Sequence, residues 1–240
     1  MKRLFLCAVM AMSVSMEMFA EDIDQLGVGV FVAGKAGTNI GTQLRTSESG
    51  FNINPLSDFG ITSYIPLSWR KNYGVIAEVG MSSYSFSEKP ITNATDDNTI
   101  IRKFNYLTIA PSFNAYFLTF GFAIGLPMGV SKKTASGTDL GTIENDSTFI
   151  SPGVTGLVTR DLKDNTQMIL EIRLGTMIPV LKSTTGRLNV FANLGYMISG
   201  MYKDEYYAKF ASLSQYNPST LSFSVGVNYV FNLTQPEADE

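Results

Sequence analysis

The stretch that decides the fold is Thr220–Asn232, with the sequence TLSFSVGVNYVFN. Its alternate residues from Leu221 to Phe231 are apolar, and the residues between them are small or polar except for Val230. Successive side chains of a β-strand point to opposite faces, so this stretch predicts a strand with one apolar face. Strands of water-soluble sheets are usually about 5 to 6 residues long, whereas a tilted strand that crosses a bilayer needs about 9 to 11 residues. The length of the stretch therefore favours a membrane-spanning strand.

A second segment, at 118–130, shows the same alternation more strongly. The residues between its large apolar side chains are no larger than proline or threonine, whereas the inward face of a soluble sheet would need large side chains. We therefore predict that the large side chains of this segment contact lipid. They are the seven alternate residues Leu118, Phe120, Phe122, Ile124, Leu126, Met128 and Val130.

The beginning of the chain has the features of a secretory signal. Two basic residues precede a mostly apolar run from Leu4 to Met16, and the segment ends in a small residue, Ala20. This order is typical of a cleaved signal peptide, and the apolar run is too short to span a bilayer as a helix. We therefore predict three parts: a cleaved signal at 1–20, a barrel at 21–232 and a short acidic tail at 233–240.

Composition excludes several classes of function. The chain has 18 basic and 21 acidic residues among 240, and its single cysteine, Cys7, lies in the predicted signal. The mature chain would therefore have no disulfide framework and no thiolate metal site. The weak acidic balance argues against a nucleic-acid partner. Nothing in the sequence indicates a cofactor or a bound metal.

Counting the alternating segments gives a number that does not fit a barrel directly. Nine segments are predicted, whereas single-chain bacterial barrels have an even number of strands. Either a strand within 138–148 is missing from the count or one segment lies outside the wall. We predict an all-β fold, a single antiparallel up-and-down transmembrane β-barrel of about 8 to 10 strands, and prefer ten. The segments lie at about 26–33, 58–68, 73–86, 101–114, 118–130, 148–159, 166–179, 187–199 and 220–232, with polar loops at 37–57, 87–99, 131–147 and 201–219 and one helical turn near 204–210.

Three aromatic residues near strand ends are predicted to lie at the membrane interface. Trp69 is the only tryptophan and flanks a short turn, and Tyr229 and Phe231 lie near the end of the closing strand. Tryptophan and tyrosine are enriched at membrane–water interfaces. We therefore predict an interfacial position for all three residues, with Trp69 on the periplasmic side.

Three ionisable residues are predicted to point into the barrel. Glu78, Glu171 and Arg173 lie opposite the apolar residues of their own segments. Charges in a narrow interior are costly unless they are paired, and arginine can bridge two carboxylates. We predict a Glu78–Arg173–Glu171 cluster that blocks the bore, with Arg102 or Lys103 as a fourth member. The alternative is that these residues contact water in the lumen.

Several features together resemble a known family. The cleaved signal, the polar loops that alternate with short turns, the Ile65–Leu67 tripeptide before Trp69 and the phrase FNYLTIAPSFNAYF at 104–117 are similar to the small outer-membrane β-barrel proteins of the OmpA/OmpX-like superfamily. The resemblance covers about 25–232. It implies a barrel in the outer-membrane lipid and the barrel assembly machinery as a partner during biogenesis. In that family the chain usually ends with an aromatic residue, which Phe231 matches in position along the strand, although residues 232–240 follow it.

The sequence argues against an enzyme. Outer-membrane barrels of known activity use a histidine, the usual general base near neutral pH, and this chain contains none. Carboxylate pairs such as Asp96 with Asp97, or Asp161 with Asp164, lie in predicted loops or turns, where charge is expected for solvation. The Asp96–Asn98 stretch also lacks the spaced oxygen ligands of a calcium loop. We predict no catalytic residue and no metal ligand.

Two functions then remain, with a third as a weaker alternative. The barrel is either a surface structural or interaction protein with a largely plugged lumen, or a narrow porin-like channel for small or apolar solutes. The third is a secreted lipocalin-like binder. Barrels of about eight strands are just wide enough for side chains, whereas aqueous pores need about sixteen. Size therefore favours a plugged barrel whose loops contact an extracellular partner.

Overall fold

The computed structural model describes residues 25–67, 72–151, 154–207 and 215–233. The predicted signal, Trp69 and residues 234–240 of the predicted tail lie outside the described residues.

Eight antiparallel strands close into a barrel in the order β1-β12-β9-β8-β5-β4-β3-β2. Each neighbouring pair is antiparallel, and β1 closes the ring against β12 over its whole length. The elements are β1 Gly27–Asn39, β2 Ser47–Pro66, β3 Tyr73–Pro90, β4 Ile100–Ala115, β5 Leu118–Thr134, β6 Ile143–Ser151, β7 Val154–Asp161, α1 Leu162–Asn165, β8 Ile169–Lys182, β9 Gly186–Met197, β10 Tyr206–Tyr207, β11 Gln215–Tyr216 and β12 Thr220–Asn232.

The preference for ten strands was wrong. The predicted segment 148–159 is not part of the wall, because β6 and β7 pair only with each other in a two-stranded ribbon. A strand was also missing within the predicted loop, since β6 begins at Ile143. The described part of the predicted helical turn near 204–210 contains the short strand β10, which pairs with β11. Alternation cannot separate a protruding ribbon from a wall strand, because both have two different faces.

The strands also extend further into the predicted loops than the sequence indicated. β1 and β2 remain paired as far as Gly37 and Asn52, and β3 and β4 as far as Glu88 and Ile100. Above the lipid both faces of a strand can be polar while the backbone ladder continues, so polarity alone does not mark the strand end. The barrel wall therefore projects beyond the apolar band.

The lengths of the connections define the two ends of the barrel. In outer-membrane barrels short turns are periplasmic and longer loops are extracellular. The end with the short turns, where β1 begins and β12 ends, is therefore the periplasmic end. The short connections are 67–72, 116–117 and 183–185, and the longer ones are 40–46, 91–99, 135–168 and 198–219.

Large apolar side chains cover the outside of the barrel. Val30, Phe120 and Phe223 each expose half or more of their surface, and the pattern continues on every wall strand. A continuous apolar band of this kind is the lipid-facing surface of a membrane barrel. It does not fit the secreted lipocalin-like alternative, whose outside would face water. Among the described residues, no helix is long and apolar enough to cross a bilayer.

The predicted lipid-facing row of β5 is correct from Leu118 to Met128 and wrong at Val130. The ladder with β4 shifts between Asn105 and Tyr106, where β5 contains an extra residue. Such a bulge moves all following side chains to the other face. Val130 is therefore buried inside the barrel, and Lys132 points inward after it.

Two apolar clusters fill the interior at different depths. The upper cluster contains side chains near the extracellular ends of the strands, and the lower cluster surrounds Tyr64 close to the periplasmic turn. Charged and hydroxyl side chains lie between the two clusters. The upper cluster is Tyr84, Phe86, Phe104, Tyr106, Val130, Leu162, Ile169, Met197, Met201, Tyr202 and Tyr216, and the lower cluster is Phe31, Ala33, Tyr64, Ile76, Met177, Phe191 and Val230.

Candidate functional site: the charged lumen

The middle of the lumen contains the three ionisable residues that the sequence placed there. Glu171 and Arg173 are alternate residues of β8, and Glu78 lies on β3. Arg173 Nε lies 3.2 Å from Glu171 Oε2, and Arg173 Nη1 lies 3.6 Å from Glu78 Oε2. One guanidinium thus faces two carboxylates from two strands that are not neighbours in the wall.

Glu171 is the most completely bonded member of this cluster. Its Oε2 accepts hydrogen bonds from the Tyr84 hydroxyl and from Arg173, and its Oε1 accepts one from Ser222 Oγ at 3.0 Å. Arg173 Nη2 also donates to the Tyr84 hydroxyl at 3.3 Å. A Cβ at Gly195 would overlap with the Glu171 carboxylate, so a larger residue at this position would displace that side chain. These contacts offset the cost of burying the carboxylate.

A second ion pair lies beside the cluster and was missed by the sequence analysis. Lys35 Nζ is 3.1 Å from Asp58 Oδ1 and also donates to Ser82 Oγ at 2.8 Å. Ser82 in turn donates to Asp58 at 2.7 Å, and the Lys35 ammonium lies 3.8 Å from the centroid of the Tyr84 ring. Lys35 follows the inward Ala33 by two positions, so extending the alternation of β1 would have placed it in the lumen.

The proposed fourth members of the cluster lie elsewhere. Arg102 points inward near the extracellular end, where its Nε is 2.8 Å from Glu88 and its Nη1 is 2.9 Å from Glu144. Lys132 Nζ is 2.7 Å from the same Glu144 oxygen. Lys103 lies on the opposite face of β4 from the buried Arg102. Arg102, Glu88, Lys132 and Glu144 form a separate upper charge network.

Side chains from the extracellular connections close the mouth of the barrel. Leu162 of α1, Met201, Tyr202 and Tyr216 are all fully buried in the upper cluster. The Tyr202 ring lies 5.7 Å from Phe104 and 6.1 Å from Tyr216, and the Tyr216 hydroxyl donates to Glu88. The connections thus form a cap that joins the upper cluster to the upper charge network.

A small cavity lies just below the cluster. It has a volume of about 20 Å³ and is lined by residues that include Glu78, Ser112, Thr119 and Arg173. That is space for about one or two water molecules, which these polar side chains could bind.

Comparison with known proteins finds remote likenesses to solved structures. No family model and no curated protein sequence matches the chain. Among solved structures, Ail of Yersinia pestis is 11% identical, with a TM-score of 0.37 and coverage of 87% of this chain and 99% of Ail. Another structure of Ail is a complex with the heparin analogue sucrose octasulfate. The outer membrane protein OprG of Pseudomonas aeruginosa is 10% identical, with a TM-score of 0.35 and coverage of 87% and 97%. The outer membrane protease OmpT of Escherichia coli is 10% identical, with a TM-score of 0.23 and coverage of 86% and 93%.

The closed ring, its apolar band and its filled interior decide the class of protein. The chain is a small outer-membrane β-barrel. The identities and TM-scores are too low for these likenesses to carry an argument, so the role of the barrel is argued from its own residues.

Two of the three aromatics predicted to lie at the membrane interface are among the described residues, at the periplasmic end of the barrel. Tyr229 and Phe231 are on the outer face of β12, and their ring centroids are 4.8 Å apart. Phe231 pairs with Val28 at the beginning of β1. Anchoring by these aromatics remains a prediction, and Trp69 lies outside the described residues.

The carboxylate pairs considered for catalysis are on the surface of the barrel. Asp96 and Asp97 are exposed in the connection before β4. Asp161 caps α1: its Oδ1 accepts a hydrogen bond from the backbone N–H of Lys163 at 3.0 Å, and this bond lowers the pKa of the carboxyl. Within the described ranges, no group of three or more His, Cys, Asp or Glu side chains could hold a metal ion.

The cap at Asp161 gives a local prediction. Asp161→Ala should speed hydrogen exchange of the Lys163 amide, because that amide loses its acceptor. The pKa of the folded carboxyl is below its ordinary value, so the cap should persist down to the ordinary aspartate range and weaken only as the pH falls through the folded pKa. Asp164→Ala, which removes a neighbouring carboxylate of α1, is the matched control and should leave exchange at Lys163 nearly unchanged. Equal exchange rates in both variants would contradict the capping role.

Proposed function

We propose that the barrel is a non-enzymatic surface protein with a structural or interaction role, and that its lumen is largely plugged. The observation that carries this proposal is the continuous series of side-chain layers across the bore. From the extracellular end these are the upper charge network, the upper cluster with its cap residues, the paired ions around Arg173 and the lower cluster.

A narrow channel for small or apolar solutes is the alternative. A conducting path in such a barrel would be lined by unpaired charges of one sign, whereas the charges of the middle layer are paired at 3.1 to 3.6 Å. The interior of a barrel of about eight strands is also filled by side chains alone. Conduction would require the cap and both clusters to separate.

The chemistry of the lumen supports the absence of catalysis. The chain has no histidine, and the inward carboxylates Asp58 and Glu171 are bonded to cations and hydroxyl groups away from solvent. A general base must reach a substrate proton within hydrogen-bond distance. These carboxylates instead serve as internal counter-ions.

The extracellular end offers the surface for a partner. The long strands β2 to β5 rise above the apolar band, and the β6–β7 ribbon projects beside the cap. On this ribbon Ile143 and Leu157 are each more than half exposed. An extracellular partner would contact this end, while lipid covers the apolar band and the barrel assembly machinery acts during biogenesis.

Surface labelling tests whether these connections are exposed to the outside. A cysteine introduced at Asn93 or Ser136 should react with a membrane-impermeant reagent on intact cells, because both residues are exposed in long connections. A cysteine at Asn72, in a short turn, should react only after the cells are opened. Labelling of Asn72 but not of the other two positions would reverse the orientation and remove the basis for a surface role.

A further inference from the structure

Arg187 is a buried cation near the periplasmic end of the lumen. It is the second residue of β9, points inward and exposes only 5% of its surface. Its guanidinium carbon lies 4.2 Å from the centroid of the Tyr64 ring. Its Nε and Nη2 are buried and have no hydrogen-bond partner among the described residues. A guanidinium carries five N–H donors, and burying such donors without acceptors is costly.

The charges higher in the lumen do not supply a counter-ion. Arg173 faces Glu171 and Glu78, and Lys35 faces Asp58. No ion pair of Arg187 is found among the residues that the structure describes. The stack on Tyr64 provides attraction to an aromatic face but leaves the in-plane N–H groups without acceptors.

A neighbouring polar side chain also has an unpaired atom. Asn189, two positions further along the inward face of β9, donates through Nδ2 to Asn228 Oδ1 at 2.6 Å. Its own Oδ1 is buried and has no hydrogen-bond partner in the part of the chain that the structure describes. We call Tyr64, Arg187 and Asn189 the barrel floor. Its unpaired donors lie on Arg187, in the geometry that matches an oxyanion.

We propose that the barrel floor is an oxyanion-binding site with Arg187 as its principal ligand. The planar guanidinium presents Nε and Nη2 side by side, the arrangement that holds a carboxylate or a phosphate through two parallel hydrogen bonds. Binding would place a negative charge against the buried cation at the periplasmic end of the bore.

Two sources could supply the oxyanion. One is the chain itself: Glu237, Asp239 and Glu240 follow Leu233, whose N–H donates to Leu26 at 2.8 Å. Arg187 pairs in the ladder with Val230, so Glu237 follows that register position by seven residues. The four Cα–Cα steps from Leu233 to Glu237 could span at most about 13 Å. The other source is a free anion of the periplasm, for which inorganic phosphate is the probe.

The test compares the two sources in refolded protein. The tail is neutralised by Glu237→Gln, Asp239→Asn and Glu240→Gln, and the site is removed by Arg187→Met. Lys133→Met is the control for loss of a cation, because Lys133 is exposed near the extracellular end of β5, away from the barrel floor. The measurements are the urea midpoint, in phosphate and in chloride of equal ionic strength, and the Nε–H resonance of Arg187.

Each source predicts a different pattern. If the tail supplies the oxyanion, neutralising the tail should shift the Nε–H resonance of Arg187 and lower the folding constant about tenfold. In the Arg187→Met background, the same neutralisation should lower the folding constant by no more than about twofold. If a free anion binds, phosphate at ten times its dissociation constant should raise the folding constant about elevenfold, except in Arg187→Met. Lys133→Met should behave like the unchanged chain in both cases.

One result would overturn the proposal. If the wild-type Nε–H resonance and urea midpoint respond neither to tail neutralisation nor to phosphate, Arg187 is only hydrated and binds no oxyanion. The resonance is recorded on the wild-type chain and on the tail variant, so the test decides even if Arg187→Met does not refold.

Discussion

Arg173→Ala should lower the free energy of unfolding by about 3 to 5 kcal/mol, because it removes one partner of a buried ion cluster. Glu171 and Glu78 would then face each other without the guanidinium that lies 3.2 Å from one and 3.6 Å from the other. The measurement is the urea midpoint of the refolded barrel in micelles, followed by far-ultraviolet circular dichroism.

A double variant serves as the control for Arg173. Glu171→Gln with Arg173→Met removes a carboxylate and the cation together, so it should cost less than Arg173→Ala alone. If Arg173→Ala leaves the urea midpoint unchanged, the ion cluster does not stabilise the barrel. The proposal of a plugged lumen would then lose its main support, and the narrow channel would become the favoured function.

Phe122→Arg should destabilise the barrel by about 2 to 4 kcal/mol, because it places a charge on the lipid face near the middle of the bilayer. Phe122 pairs with Ile172 in the middle of β5, and its side chain is half exposed. The measurement is the free energy of unfolding in lipid vesicles.

Met128 provides a control at the edge of the apolar band. Met128 is the bulged residue of β5 and the last of its lipid-facing row. At this edge of the band, the charge of Met128→Arg should cost only about 0 to 1 kcal/mol. The depth of each residue, and not the change of side chain, would then account for the difference. Equal costs at the two positions would mean that the outer face of β5 has been misassigned.

Sequence alternation predicts the face of a side chain well and its depth in the barrel less well. The inward positions of Glu78, Glu171 and Arg173 follow from parity within their own strands. Their meeting across the lumen depends on the register between β3 and β8, which are not neighbours. Arg102 shows the limit: it also points inward, but it lies nearer the extracellular end and contacts Glu88.

β-bulges are a second feature that the sequence alternation does not predict. Val130 continues an unbroken apolar alternation, yet the β5 bulge turns it into the lumen. Nothing in the alternation marks the bulge, because the residues on both sides of it are compatible with either face. Lys132, which the same bulge turns inward, could not be placed in the upper charge network for the same reason.

The predicted number of wall strands was wrong because one hairpin, β6–β7, lies outside the barrel wall. β6 and β7 alternate like wall strands, but they are inserted between β5 and β8, which pair directly. Once the ribbon is removed from the wall, the short turns at 67–72 and 183–185 lie at the same end of the barrel. The sequences around these turns, 61–82 and 174–199, resemble each other. This resemblance argues against nine wall strands, but it is compatible with either eight or ten.

The single-channel conductance of the wild-type barrel in planar lipid bilayers tests the plugged lumen most directly. With the cap, the two apolar clusters and the paired ions in place, the protein should insert without producing stable conductance steps. Reproducible steps of constant size, recorded from refolded wild-type protein, would contradict a closed bore and support a narrow channel.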